Sequence, residues 1–270
     1  MMYGFTFHRL KGEQAEDFYE IDKNKTIIAV ADGVHRDWDE WLRKEKLSNY
    51  PNPSPARIAS ETFCKTFCSY LSDKNPSEKI IRDAFLRANQ DIDKWNKKNI
   101  PKPDYVINDF AGCVSAGFME KDGWLYWGFL ADSGIAILNK TGDLEFKTQD
   151  EGPQSKEKNP SLEPIVDANG GWKNPNARKI IRSRYRNNPY EKFAYGVLTG
   201  EPEAMHYVKT GRKEINNGNY ILVYSDDLIK INFQENGRLN SEFVRILLKN
   251  DMGELRSFCE DKIVSEGTLV

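Results

Sequence analysis

Three short apolar runs of the sequence each stop on an aspartate. Ile27-Ile28-Ala29-Val30 leads into Ala31-Asp32-Gly33, Trp127 to Leu130 into Ala131-Asp132-Ser133, and Tyr220 to Tyr224 into Ser225-Asp226-Asp227. Runs of this length, rich in Ile, Val and aromatic residues, read as strands, and Asp beside Gly or Ser ends them. A carboxylate at a strand end stands at the rim of a sheet, where side chains of strands distant in sequence converge. Converging carboxylates repel unless a cation stands among them. Oxygen-only donors with no His or Cys select hard ions such as Mg2+ or Mn2+. For any one of the three sites the plainer reading is a turn aspartate. Their order and surroundings along the chain decide between the two.

The elements around these aspartates are legible. Ser54 as N-cap with Pro55 at the first helical position starts a helix over about Ala56 to Leu71, with Ile58, Phe63, Phe67 and Leu71 on its apolar face. A second helix begins near Asn75-Pro76-Ser77-Glu78, a capping-box-like start, and carries Ile80, Ile81, Ala84, Phe85, Ala88, Ile92 and Trp95. The short link predicts an antiparallel pair, and one apolar stripe on each helix predicts that the pair covers something flat. Segments 111–119, 123–131 and 134–139 read as an antiparallel meander whose first turn is Asp122-Gly123.

From Thr148 to Tyr195, Pro, Asn, Gly and charge dominate. This texture predicts a flap inserted at about 148–200 within a single domain spanning 1–270. Strand-like pieces follow at 204–209 and 219–225, then short helices near 240–249 and 253–262, and a last strand beginning at Thr268.

Composition narrows the function classes. Thirty-nine Lys plus Arg against 41 Asp plus Glu give a formal charge of −2, unlike a strongly basic nucleic-acid binder. Six Trp, twelve Tyr and fourteen Phe supply ample apolar area for a core and argue against disorder. The longest apolar runs are strand-sized and far too short to cross a bilayer, and the N-terminus shows no signal-peptide core, so a cytoplasmic protein with no membrane partner is expected. Cys64, Cys68, Cys113 and Cys259 are dispersed and read as packing residues; His8, His35 and His206 show no HExxH spacing. With no glycine-rich phosphate loop and no GxSxG elbow either, the common NTPase, zincin and serine-hydrolase readings fall away. One basic stretch stands out: Arg178, Lys179, Arg182, Arg184 and Arg186 lie close together, with Lys173 and Lys192 flanking and Trp172, Tyr185 and Tyr190 interleaved. That pattern is compatible with nucleic acid. The near-neutral whole favours a solvated or substrate-guiding helix with Ile180 and Ile181 inward.

Taken in order, Glu16-Asp17-Phe18, Ala31-Asp32-Gly33-Val34, a helix pair, Ala111-Gly112-Cys113, Ala131-Asp132-Ser133 and Ile221 to Asp226 resemble the E-D, A-D-G, G-T-T, G-D-S and S-D-G motifs of the PP2C (PPM) family of metal-dependent protein phosphatases, with a bacterial-like divergent pattern. The resemblance covers nearly the whole chain. It implies an α+β fold, a four-layer α-β-β-α sandwich of two antiparallel sheets flanked by antiparallel helix pairs, with the active site at one end. It also implies a cluster of two Mg2+ or Mn2+ ions, with a third in bacterial relatives. Asp32 would bridge two ions, the Gly33 carbonyl would bind one, Asp226 would complete the first shell, Glu16 and Asp17 would act through water, and Asp132 would hold the third ion.

The implied activity is hydrolysis of phosphoserine and phosphothreonine in a phosphorylated protein partner by a metal-bridging hydroxide, a role in signalling. The chain departs from the pattern in three places. The arginine that the family commonly carries four residues before the acidic pair is Gly12 here, leaving Lys11 or Arg36 to meet the phosphate. Gly after the third aspartate is Asp227. The terminal ligand of D-N-x-T falls at Ser265, with Glu266 one place later as the nearest carboxylate. These departures motivate the alternative of a catalytically weak phosphatase-like module that binds a phosphorylated partner.

Overall fold

In the computed structural model of the chain, the residues described are 2–8, 15–34, 51–106, 108–153, 162–172, 174–225, 239–262 and 266–270. Their strands are β1 (Phe5–His8), β2 (Phe18–Asp22), β3 (Ile27–Val34), β4 (Gly112–Lys121), β5 (Trp124–Leu130), β6 (Gly134–Leu138), β7 (Leu144–Lys147), β8 (Lys209–Glu214), β9 (Tyr220–Tyr224) and β10 (Glu266–Leu269). One sheet runs β1-β10-β9-β6-β7 and the other β2-β3-β4-β5-β8, with every neighbouring pair antiparallel.

The period of two in the strands builds the layers. Along β3, Ile28 and Val30 join Phe118, Phe129, Ile135, Ile137 and Val223 in an apolar layer contributed by both sheets. Ile27, Ala29 and Ala31 point the other way, into a second apolar layer under the helices α1 (Pro55–Leu71) and α2 (Glu78–Asn99). The first sheet repeats the scheme. Ala136, Leu138, Leu222 and Tyr224 leave its outer face to meet Phe243, Ile246, Leu255 and Phe258 of α5 (Ser241–Leu248) and α6 (Met252–Lys262). Layer order is therefore α-β-β-α, as the family resemblance implies. No helix among the described residues is long and apolar enough to cross a membrane.

The helix pair on the second sheet starts where its caps predict. Ser54 Oγ accepts from the Arg57 N–H at 3.0 Å with Pro55 behind it, and Ser77 Oγ accepts from the Ile80 N–H at 3.2 Å. Phe63, Phe67 and Phe85 interlock with ring centroids 4.9 to 5.6 Å apart, each burial worth on the order of 2–3 kcal/mol. Paired strand residues Gly117 and Gly128 let these rings approach. A Cβ at Gly117 would stand 2.8 Å from Phe67 Cε1, and one at Gly128 2.7 Å from Phe85 Cε2.

Two expectations need correction. The meander stops after its second strand: β4 and β5 form the hairpin, but β6 crosses to the other sheet and pairs with β7 and β9. The crossing begins at Ala131, whose φ of 61° lies in the left-handed region and turns the chain out of the β5 direction. The first half of segment 204–209 is the end of a 3-10 helix (Pro202–His206), which starts where Pro202 fits the first helical turn, and the strand begins only at Lys209.

The segment between β7 and β8 carries α3 (Glu163–Ala168), α4 (Pro175–Ile180) and a π-helical turn over Ile181–Tyr185. Val166, Ile181, Tyr185, Tyr195 and Leu198 from this segment are buried in the same apolar layer as α1 and α2. Its far end is tied down by side-chain amides. Asn96 of α2 donates to the carbonyls of Ala111 and Thr199, both at 2.8 Å, and Cys113 and Leu198 exchange a pair of main-chain hydrogen bonds.

Candidate active site

The register gathers the acidic positions at one end of the sandwich. Phe18, the first residue of β2, pairs with Ala31, so Asp17, just before β2, stands at the same end as Asp32 of β3. Ala31 is level with Ser115, and Ser115 with Leu130, which places Asp132 at the same end just beyond β5. On the other sheet Tyr224 pairs with both Gly134 and Leu269, so the exit of β9, the start of β6 and the start of β10 share that end too. Glu266 opens β10 opposite His8. Asp226, Lys11 and Arg36 lie outside the described residues, as does the Glu266 side chain.

Asp32, Gly33 and Asp132 line one cavity of about 300 Å3, shared with Trp172, Arg178 and Arg182 of the α3–α4 segment. Two close approaches shape it. A Cβ at Gly33 would meet the Ala56 main chain at 2.9 Å, so β3 passes directly beneath the first turn of α1. A Cβ at Gly152 would fall 2.8 Å from Asp132 Oδ2, and the Glu151 N–H donates to the Ala131 carbonyl at 3.0 Å, so the chain after β7 lies across the Asp132 turn.

Glu16 and Asp17 are buried beside this end rather than on the cavity wall. Ser225 Oγ donates to Asp17 Oδ2 at 2.7 Å and accepts from the Thr268 N–H at 2.9 Å. The Thr268 hydroxyl in turn meets that of Thr6 at 2.7 Å. Arg57 of α1 donates to the carbonyls of Ala15 and Asp17, which fixes the main chain of the acidic pair. Asp17 thus belongs to a polar seam joining both sheets directly before Asp226 in the sequence.

On one side the cavity carries groups of the kind a hard cation takes, two carboxylates and the main chain of Gly33, and on the other the guanidiniums of Arg178 and Arg182. Among the described residues no three His, Cys, Asp or Glu side chains are gathered closely enough to hold a metal by themselves.

Arg178 and Arg182 are the cavity residues that sequence reasoning assigned elsewhere, to a solvated or substrate-guiding face. Their spacing held a signal. Ala177, Ile181 and Tyr185 are buried at successive i, i+4 positions, so 178 and 182 flank the buried stripe on one side. Arg178 Nε donates to the Trp172 carbonyl, and Arg182 Nη1 to that of Tyr105 at 3.2 Å. Desolvation, then the neighbouring Arg182 charge, pulls the Arg178 guanidinium down to about 10.

Beneath them Arg186 makes a two-pronged pair with Asp109, at 2.7 and 2.9 Å, and Arg182 Nε stands 3.5 Å from the same carboxylate. Burial alone would raise the Asp109 carboxyl; the charge and hydrogen bonds of Arg186, with Arg182 behind, outweigh it and hold Asp109 below the ordinary carboxylate range.

No family sequence model matches the chain, and no curated protein matches it in sequence. Solved structures do. The Mycobacterium tuberculosis serine/threonine phosphatase PstP/Ppp superposes with a TM-score of 0.63 at 15% identity, over 99% of this chain and 95% of that one. A serine/threonine phosphatase of S. agalactiae gives 0.60 at 16% identity, over 99% and 98%. PppA of Pseudomonas aeruginosa, described as a key regulatory component of T6SS, gives 0.60 at 13%, over 99% and 94%. At such identities the likeness is one of architecture: over nearly its whole length, this chain has the PP2C-type fold of bacterial serine/threonine phosphatases.

Proposed function

We propose that the chain is a divalent-cation-dependent phosphatase acting on phosphoserine and phosphothreonine of a cytoplasmic protein partner. One observation carries the reading: in a PP2C-type sandwich, Asp32, Gly33 and Asp132 meet at the sheet ends in a single cavity walled on its other side by two arginines. The catalytic domain of PstP, which shares this fold, has been crystallised with two manganese ions. In this chain Asp32, Gly33 and Asp132 would hold such ions, together with Asp226 from the family motif and Glu266, the carboxylate one place past the motif's terminal position at Ser265. Bound Mg2+ or Mn2+ supplies an acidified water and neutralises phosphoryl charge.

The protein's own groups do the rest. Glu16 and Asp17 are buried with their main chain fixed by Arg57, so they orient the site's polar network rather than contact substrate directly. Trp172, Ile181, Tyr195 and Val197 give the cavity apolar walls, which lowers the local dielectric and strengthens every charge interaction inside. The α3–α4 segment supplies one wall of the cavity.

The experiment is turnover of p-nitrophenyl phosphate and a phosphothreonine peptide with Mn2+ or Mg2+, with and without chelator, in wild type and Asp32→Ala. Expected is metal-dependent hydrolysis, abolished by chelator and in the variant. Full activity of Asp32→Ala sinks the mechanism. A second reading, a phosphate-binding module with little turnover, draws on the guanidiniums standing among the carboxylates; tight phosphopeptide binding without hydrolysis would select it.

A further inference from the structure

We propose that Arg178 and Arg182 form a two-guanidinium clamp for the substrate's phosphate, supplied by the α3–α4 segment and not by the N-terminal stretch, where Gly12 stands at the family's arginine position. The inference rests on the phosphatase reading of the same cavity and names the groups that recognise the phosphomonoester.

The clamp follows from how the helix is built. Residues 178 and 182 are one turn apart, on the side of the buried stripe that faces the sheet ends, and both line the cavity with Asp32 and Asp132. Directly after Ile180 the helix widens into a π turn, closed by the Arg186 N–H donating to the Ile181 carbonyl at 3.0 Å. Such widenings shift the phase of every following side chain and recur at functional sites. Here the shift turns Arg186 inward to its pair with Asp109, while Arg182 reaches Asp109 at 3.5 Å and still borders the cavity.

Each cavity arginine is anchored through a main-chain carbonyl, Trp172 for Arg178 and Tyr105 for Arg182. Anchoring fixes the plane of a guanidinium, and a fixed planar fork reads two phosphate oxygens at once. Arg186 takes both oxygens of Asp109, and Arg182 Nε stands 3.5 Å from one of them. Two guanidiniums in one partly desolvated cavity repel each other, and the depressed Arg178 agrees with that. A phosphomonoester dianion between them relieves the repulsion. The competing role is as plain counter-ions of Asp32 and Asp132, and it makes an opposite prediction about metal.

The test titrates inorganic phosphate and a phosphoserine peptide into the full chain, metal-free and with Mn2+, by calorimetry, and follows peptide hydrolysis. The variants are Arg178→Ala, Arg182→Ala, Arg182→Lys and, as control, the exposed Lys179→Ala. Expected is a loss of phosphate affinity of tenfold or more in each alanine variant, a smaller loss in Arg182→Lys, which keeps charge but not the fork, and none in Lys179→Ala. KM for the peptide should rise in step.

Unchanged phosphate affinity in Arg178→Ala and Arg182→Ala overturns the clamp, and tighter Mn2+ binding with unchanged phosphate assigns the arginines as counter-ions. Should Arg182→Ala fail to fold, Arg178→Ala and Arg182→Lys still decide. Phosphate binding lost in the variants of a chain that hydrolyses nothing keeps the clamp and removes the phosphatase reading. Hydrolysis with unaltered KM in the variants does the reverse.

Discussion

Asp17 and Ser225 stand 208 positions apart in the sequence, yet the Ser225 hydroxyl donates to Asp17 Oδ2 at 2.7 Å. Asp17 leads into a strand of one sheet, and Ser225 leaves a strand of the other. The bond is therefore a polar tie between the two sheets, and it is buried at both ends.

Ser225→Ala should remove that tie and the bond that Ser225 Oγ accepts from the Thr268 N–H. A hydrogen bond to a buried carboxylate is worth roughly 1.5–3 kcal/mol, so the variant is expected to lose about 2–3 kcal/mol in a urea titration. Thr6→Ala, which breaks only the hydroxyl pair with Thr268, should lose about 1 kcal/mol. Equal losses in the two variants would contradict the weight placed on Asp17.

The Asp109–Arg186 pair is expected to be costly to break and cheap to replace. Asp109→Ala leaves a guanidinium 1% exposed without its two-pronged partner, a loss of roughly 3–5 kcal/mol. Asp109→Leu combined with Arg186→Met should recover most of it. A double variant as unstable as the single would show that Arg186 is needed for its other contacts.

Acid should find the same pair. Asp109 is held below the ordinary carboxylate range when folded, so its contribution is complete above the unfolded value of about 3.9 and is lost as pH falls through the lower folded value. Wild type should lose stability below about pH 4, and the Asp109→Leu/Arg186→Met variant should lose less over that interval. Parallel stability curves for the two from pH 5 to 2 would count against this assignment.

Gly117→Ala is expected to destabilise by about 1–3 kcal/mol through overpacking. The added Cβ would meet both Phe67 and, at 2.9 Å, the Ile28 carbonyl oxygen. A ring can shift; a paired strand carbonyl cannot do so without disturbing the ladder. Thermal unfolding of Gly117→Ala beside Gly171→Ser, an open position but at positive φ, separates overpacking from backbone strain.

What the sequence disclosed follows from what each residue depends on. The Ser54-Pro55 cap and the α1–α2 stripes are local patterns that the structure has nearly in place, whereas β3 does not stop at Asp32-Gly33 as expected but runs on through both to Val34, paired with β4. β1 and β2 escaped notice because Phe5–His8 and Phe18–Asp22 are four and five residues long, too short for period two to stand out. The crossing of β6 was hidden for a different reason: Ile135 to Leu138 is apolar at every position, since both of its faces are buried, so the run names no partner. Asp132 is legible as a residue just past a strand, while Asp32 reaches the same cavity from inside β3, opposite Val114. That Arg178 and Arg182 reach it too follows from the buried i, i+4 stripe of Ala177, Ile181 and Tyr185 beside them; the π turn beyond Ile180 is what no local composition signals.

The four charged side chains among the described residues that line the cavity cancel: two carboxylates against two guanidiniums. On the proposed function, cation and anion binding there would be linked through one charge balance. A cation held by Asp32 and Asp132 would leave the cavity with net positive charge that favours phosphate, and phosphate on the arginines would leave net negative charge that favours the cation. Each ligand raises the affinity of the other by one and the same factor, whichever arrives first. Phosphate should therefore tighten Mn2+ binding to the wild type, and the size of that effect, read in either direction, measures how much of the cavity's charge the protein holds in reserve.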